Sequence, residues 1–187
     1  AMIGFDMGGP VNKVAFLFAG GLIATGNFAP QGMTSVAIAV PPLGMALATF
    51  VGRRAFDDME RQLRRVMELE PRHHHARNAL GYSLAERGLR LAEARELIET
   101  ALEIGGQEPA IVDSLGWVAF REGKLDEAET LLRRAYRARL DTEIAAHLAE
   151  VLWARGNQEE ARRLLDETSA RDGSNEVLRS TRRRLGL

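Results

Sequence analysis

The sequence of 187 residues contains no cysteine, and it has no charged side chain between Val14 and Gly52. The absence of cysteine excludes a disulfide framework, a thiolate metal site and a cysteine nucleophile. The formal net charge of −1 gives no electrostatic basis for binding nucleic acid. Nearly all charged residues follow from Arg53 onward, whereas the charge-free stretch is typical of membrane sequence. The chain therefore joins two different compositions.

A repeat of about 34 residues runs through the charged part of the chain. The pair Leu80-Gly81 recurs as Leu115-Gly116 and, with alanine in place of glycine, as Leu148-Ala149. Apolar residues at helical spacing predict two helices in each unit. Other landmarks keep the same spacing, namely a glycine after each first helix and an alanine inside each second helix: Gly88, Gly123, Gly156, Ala94, Ala128 and Ala161. The glycines occupy the position after a helix where a positive φ is favoured.

Together with the segment Asp113-Ser114-Leu115-Gly116-Trp117, this pattern resembles the tetratricopeptide repeat over residues 56–187. We therefore expect an all-α fold, a superhelical array of helix-turn-helix units preceded by two apolar helical segments. Residues 53–72 form a half repeat, because 56–69 fit a second helix whose first helix is replaced. Residues 73–187 hold three repeats and a capping helix, with helices at 75–87, 91–104, 109–122, 125–139, 142–155, 158–170 and 175–185.

Residues 1–52 carry a different signature. The string Gly8-Gly9-Pro10-Val11-Asn12-Lys13 and the apolar runs after it resemble the membrane-embedded C component of fructose-type phosphotransferase permeases. The resemblance implies that Asp6, Asn12 and Lys13 lie near a sugar path. Members of that family have many spans and phosphorylated partner domains, so we do not expect this chain to transport or phosphorylate sugar alone.

The two apolar runs cover residues 14–26 and 33–51. They are near or below the roughly 20 residues of a spanning helix, and Pro41-Pro42 weakens the second. Basic residues on both sides predict a membrane hairpin whose ends face the cytoplasm of a bacterium. Without insertion the chain is expected to be cytoplasmic, with these segments packed on the exposed end of the array. A gene fusion near residues 52–55 is the alternative origin of the two halves.

The first helix of each pair should form the concave wall of the array. Aromatic and arginine side chains are the usual anchors of protein interfaces, so the register predicts a groove for a partner peptide or protein. The predicted partner-binding residues are Asn78, Tyr82, Glu86, Asp113, Trp117, Phe120, Arg121, Glu150 and Trp153. In the alternative interpretation, the two tryptophans fill space between helices. The basic residues with which some family members clamp a terminal carboxylate are not at these positions.

Other candidate chemistry is weaker. His73, His74 and His75 point about 100° apart at a helix start, and no carboxylate shares their turn, so we predict no metal site. Ser114 does not lie in a Gly-x-Ser-x-Gly turn of the kind that carries a serine nucleophile. The run Arg182-Arg183-Arg184 is interpreted as a solvated helix end. We predict no cofactor and no enzymatic activity.

Three hypotheses for function remain. The first is a non-catalytic interaction scaffold that binds a partner in the concave groove. The second is a fragment of a fructose-type permease that acts in a membrane complex, with association through residues 14–51. The third is a fusion product without a selected function.

Overall fold

The computed structural model describes residues 41–172 and 175–187, with side chains from residue 52 onward. The described residues form an all-α structure, as predicted. Its helices are α1 (Pro41–Leu69), α2 (His74–Glu86), α3 (Leu91–Gly105), α4 (Pro109–Arg121), α5 (Leu125–Ala138), α6 (Thr142–Ala154), α7 (Gln158–Asp172) and α8 (Glu176–Leu185). The predicted boundaries of α2 to α8 are confirmed to within two residues.

Helix α1 is longer than the sequence suggested. It begins at Pro41 and continues without a turn through residues 52–55 to Leu69. Paired prolines are tolerated here because the first-turn amides of a helix have no intrahelical acceptor. The apolar segment 14–26, the first part of segment 33–51, and the residues Asp6, Asn12 and Lys13 lie outside the described residues.

The described residues divide into two units, with the boundary between residues 62 and 63. The second unit contains the helix pairs α2–α3, α4–α5 and α6–α7, followed by α8. Gly88, Gly123 and Gly156 have φ values of +64°, +81° and +88°, which confirms the predicted helix-ending role of these residues.

The Leu-Gly landmark allows two helices of a pair to approach closely. A Cβ atom added to Gly81 would lie 2.6 Å from Cγ1 of Ile98, and one added to Gly116 would lie 2.8 Å from Cγ of Leu132. Both distances are shorter than real carbon contacts, so each site requires glycine unless its neighbour moves. Ala149, the equivalent residue of the third pair, is fully buried.

Ion pairs connect the second helices of neighbouring repeats. Arg95 on α3 donates to Glu127 on α5 at 2.9 Å and to Glu122 at 2.6 Å. Arg133 on α5 donates to Glu160 on α7 at 2.8 Å. These hydrogen bonds outweigh the opposing effect of desolvation and lower the pKa of Glu122 and Glu160. The side chains of Arg95 and Glu122 are only 17% and 15% exposed, so water screens this pair less than an ordinary surface pair.

Helix α8 covers the end of the last repeat. Leu178 and Thr181 are buried, and the Thr181 hydroxyl donates to Oε1 of Glu150 on α6 at 3.1 Å. The side chains of Arg179 and Arg183 are more than half exposed. This helix therefore presents an apolar side to the array and a basic side to solvent.

Candidate functional site

The first helices of the three repeats bring one cluster of aromatic and ionisable side chains together. Helix α2 contributes Tyr82, α4 contributes Asp113 and Trp117, and α6 contributes His147. Tyr82 and His147 are two repeats apart in sequence but in direct contact. We call these four residues, with Glu86, the inter-repeat cluster.

A buried ion pair lies at its centre. Nδ1 of His147 donates to the Asp113 carboxylate and lies 3.0 Å from each of its oxygens. The two side chains are 8% and 9% exposed. Burial alone would lower the pKa of His147, but the negative charge of Asp113 and its hydrogen bond outweigh burial and raise the pKa. The Asp113 carboxylate therefore favours the protonated form of His147.

Tyr82 extends the pair to the first repeat. Its hydroxyl oxygen lies 3.3 Å from Nε2 of His147, within hydrogen-bond distance. Burial raises the pKa of Tyr82, and the charges of four carboxylates raise it further: Glu86, Asp113, Glu143 and Glu150. The phenol therefore keeps its proton at neutral pH. This arrangement joins helices and does not generate a phenolate nucleophile.

Trp117 packs inside the cluster. Its ring stacks on the imidazole of His147 with centroids 4.3 Å apart, and its indole N–H donates to Oε2 of Glu86 at 2.9 Å. The ring of Phe120 also contacts Trp117, with ring centroids 5.1 Å apart. Only 4% of Trp117 is exposed, which places it in the space between helices, the alternative stated for this residue. Asp113, another predicted contact residue, is also buried.

The remaining predicted residues lie around the cluster. Arg121 is exposed, and its Nη1 donates to the backbone oxygen of Glu86 at 2.9 Å. Glu150 accepts from Thr181 and forms an ion pair with Arg184. Trp153 is half-buried under the guanidinium of Arg162, 5.1 Å from its ring centroid.

Asn78, also predicted to contact a partner, lies in the first turns of α2. It is half-buried, and its Oδ1 is buried with no hydrogen-bond partner among the residues that the structure describes.

Sequence reasoning missed His147 as a member of this cluster. Considered alone it carried no signal, because a single histidine on an apolar helix is common. The repeat period contained the information, since Asp113 and His147 are 34 residues apart and thus hold equivalent positions in successive repeats. Side chains at equivalent positions of stacked repeats lie next to each other.

The histidine run at the start of α2 has a partner that the sequence analysis did not consider. Nδ1 of His73 accepts from the amide of Ala76 at 3.0 Å and caps α2. Nε2 of His74 lies 3.1 Å from Oε1 of Glu108, which precedes α4 in the next repeat. Ser114, by contrast, donates to the backbone oxygen of Ala110 at 3.0 Å and has a structural role.

Family sequence models described as tetratricopeptide repeat match residues 49–109 and 119–185, and together these matches cover more than half of the chain. The chain belongs to the tetratricopeptide repeat family. Such repeats support a role as a protein-interaction scaffold.

The curated relatives of the chain are of two kinds. The TPR repeat-containing protein PA4667 of Pseudomonas aeruginosa is 49% identical over 98 residues, which are 52% of this chain and 17% of that protein. The fructose-like permease IIC component 2 of Escherichia coli is 49% identical over 61 residues, 33% of this chain and 17% of that protein. The chain thus spans about a sixth of the length of these relatives.

Solved structures share the repeat fold. The thermophilic TPR protein TTC0263 of Thermus thermophilus aligns with a TM-score of 0.62 at 16% identity, covering 92% of this chain and 97% of that one. MamA of Desulfovibrio magneticus aligns with a TM-score of 0.51 at 16% identity, covering 90% and 98%. At this identity the likeness concerns the fold alone.

Among the helices that the structure describes, none combines the length and the apolar character that a membrane span requires.

Proposed function

We propose that this chain is a non-catalytic scaffold that binds a partner segment along the concave side formed by α2, α4 and α6. The contact between Tyr82 and His147 supports this assignment. These residues belong to the first and third repeats, and their side chains meet across the intervening α4. Such a contact needs the first helices to lie on the inner, shorter side of the curved array.

The charges around the cluster favour a partner with basic side chains. Four carboxylates lie close enough to Tyr82 to act on its hydroxyl. Asp113 is neutralised by His147, and Glu150 is paired with Arg184. Glu86 instead accepts from the neutral indole of Trp117, and Glu143 is exposed at the start of α6. These two carboxylates are available to bind a lysine or arginine of a partner.

Five of the nine predicted residues divide into two roles under this proposal. Glu86, Arg121 and Trp153 present surface to a partner and would contact it directly. Trp117 and Asp113 are buried and would act by holding Glu86 and the three first helices in place. Replacing Trp117 therefore removes packing as well as any contact, and it is a poor test of binding.

Selection of random twelve-residue peptides displayed on phage against the immobilised full chain tests the proposal. We expect enrichment of peptides rich in lysine or arginine. Synthetic versions should bind the Glu86→Gln/Glu143→Gln variant at least about tenfold more weakly, because two uncompensated carboxylates are lost.

The matched control is the Glu96→Gln/Glu167→Gln variant, which removes two exposed carboxylates from the second helices α3 and α7. It should bind the same peptides as the unmodified chain does. Equal binding by both double variants, or enrichment of acidic peptides, would contradict the proposal.

A second candidate is membership of a membrane complex with permease components, which the 49% identity to a fructose-like permease component supports. Alkaline carbonate extraction of membranes from the expressing bacterium distinguishes the two. A chain that stays in the membrane pellet favours this second candidate, and a chain released with peripheral proteins counts against it.

A further inference from the structure

A histidine-carboxylate cluster lies at the junction of the first two repeats, away from the inter-repeat cluster. One ligand atom from each of His74, His75 and Glu108 lies within 4.8 Å of the other two. The two imidazoles come from the first turn of α2, and the carboxylate comes from the residue just before α4. We propose that these three side chains bind a divalent first-row transition-metal ion, with Zn²⁺ as the representative ion.

The geometry of His74 and Glu108 is close to that of a metal site. Nε2 of His74 and Oε1 of Glu108 are 3.1 Å apart, and two ligand atoms on a tetrahedral zinc ion are about 3.4 Å apart. The ring of His74 packs against Gly105, since a Cβ at that position would lie 2.4 Å from its Cδ2 atom. Glycine at position 105 thus makes room for this ring.

The Glu108 carboxylate does not cap the helix that it precedes. Glu108 is the N-cap residue of α4, but its side chain makes no capping hydrogen bond and points to His74 instead. His73, in contrast, already uses Nδ1 to cap α2. The structure therefore separates two ligand histidines and one capping histidine within a run of three.

The third ligand and the remaining coordination positions lie on the open side. His75 is exposed, and its ring centroid is 4.0 Å from that of His74, so rotation of its side chain brings a nitrogen to the same ion. A cavity of about 520 Å³ adjoins these rings and is lined by residues 70–75. It leaves space for water at the fourth position, as in zinc sites with two histidines and one glutamate.

The surroundings select the type of ion. The ligands stand at the starts of α2 and α4, where the helix dipoles place partial positive charge that disfavours cations held by charge alone. Mg²⁺ and Ca²⁺ also prefer oxygen ligands. Two imidazole nitrogens bind Zn²⁺, Ni²⁺ or Cu²⁺ through directional bonds, so first-row transition metals are favoured here.

Isothermal titration of the full chain with ZnCl₂ in a non-chelating buffer tests the proposal. We expect one ion per chain, reversal by EDTA, and a higher unfolding temperature with zinc, because the ion joins two repeats. Glu108→Gln and His74→Ala should each weaken binding at least about tenfold. The Glu108→Gln variant is the decisive one. Zinc binding by the run of three histidines alone would not depend on a carboxylate from the next repeat.

The matched control is His73→Asn, because asparagine keeps a capping acceptor while removing an imidazole that is not a ligand. It should bind zinc as the unmodified chain does. Unchanged binding in Glu108→Gln would overturn the proposal, and so would an equal loss in His73→Asn. Far-UV circular dichroism without zinc checks that each variant is folded, and His75→Ala, at an exposed position, provides an independent ligand deletion.

Discussion

Nδ1 of His147 lies 3.0 Å from both carboxylate oxygens of Asp113, although 34 residues separate the two in sequence. The separation is one repeat, so stacking of equivalent helices creates the contact. Through the hydroxyl of Tyr82 the pair reaches the first repeat as well. A single buried charge pair thereby connects the first helices of all three repeats.

Replacement of Asp113 by alanine should lower the free energy of unfolding by about 3 kcal/mol, the cost of removing one partner of a buried ion pair. Without the carboxylate, His147 must lose its proton or remain charged without a partner in a buried position. Urea denaturation followed by circular dichroism measures the change.

Asp126→Ala is the matched control, because the Asp126 side chain is 94% exposed and pairs with Arg155 at the surface. It should cost less than about 1 kcal/mol. Similar losses in the two variants would mean that burial of the pair with His147 has no special importance for stability.

Stability should also depend on pH through His147. Its pKa is raised in the folded state by Asp113 despite burial, whereas in the unfolded chain a histidine has a pKa of about 6.5. Below that value both states hold the proton and the stabilisation is complete. As the pH rises through the folded-state pKa, His147 loses its positive charge, its charge interaction with Asp113 ends and the stabilisation is lost.

Urea denaturation of the unmodified chain and of His147→Gln between about pH 6 and about pH 9 measures this dependence. Deprotonation of His147 should lower the free energy of unfolding of the unmodified chain only. The difference in free energy of unfolding between the unmodified chain and the variant should therefore shrink as the pH rises. Parallel profiles would show that His147 does not titrate differently in the two states.

Loss of Arg95 should weaken the junction between the first and second repeats. Arg95→Ala removes hydrogen bonds to both Glu122 and Glu127 in a partly desolvated site, at an expected cost of about 1–3 kcal/mol. Arg179→Ala is the control, since Arg179 pairs with Glu176 within α8 and is 55% exposed. Its cost should be below about 0.5 kcal/mol by the same denaturation assay, and the reverse order would contradict the prediction.

Alanine substitutions at two helical glycines should have opposite signs. Within a helix, alanine is favoured over glycine by about 1 kcal/mol. At Gly116 a new Cβ would lie 2.8 Å from Cγ of Leu132 and 3.3 Å from Cβ of Leu131, and such overpacking costs about 1–3 kcal/mol. We therefore expect Gly116→Ala to destabilise the protein.

Gly52→Ala is the matched substitution, because a Cβ at Gly52 would meet nothing within 4 Å among the residues that the structure describes. It should be neutral or stabilising by up to about 1 kcal/mol. Thermal unfolding of the two variants compares them directly, and stabilisation by Gly116→Ala would show that α4 and α5 can move apart at little cost.

The repeat helices were predictable because their signals are local. Apolar residues at helical spacing set the extent of each helix, and glycines such as Gly88 and Gly123 mark the helix ends by their positive φ. Helix α1 was less predictable, since Pro41-Pro42 suggests an interruption unless the prolines occupy the first turn. Only the structure resolves that ambiguity, because it shows that the helix begins at Pro41.

The candidate sites needed the tertiary structure. Helix register placed Trp117 on the first-helix face, but only the positions of neighbouring helices decided that it is buried under His147 and bonded to Glu86. The carboxylate beside His74 comes from Glu108 in the next repeat, so inspection of a single helical turn did not find it.

The sequence by itself determined the period, the helices and the two compositions of the chain, because propensity, apolar spacing and turn residues act within a few positions. The tertiary structure alone decided which side chains of different repeats meet. Those contacts depend on the rise and rotation between stacked repeats, which follow from the packing of helices that are distant in sequence and not from any local signal.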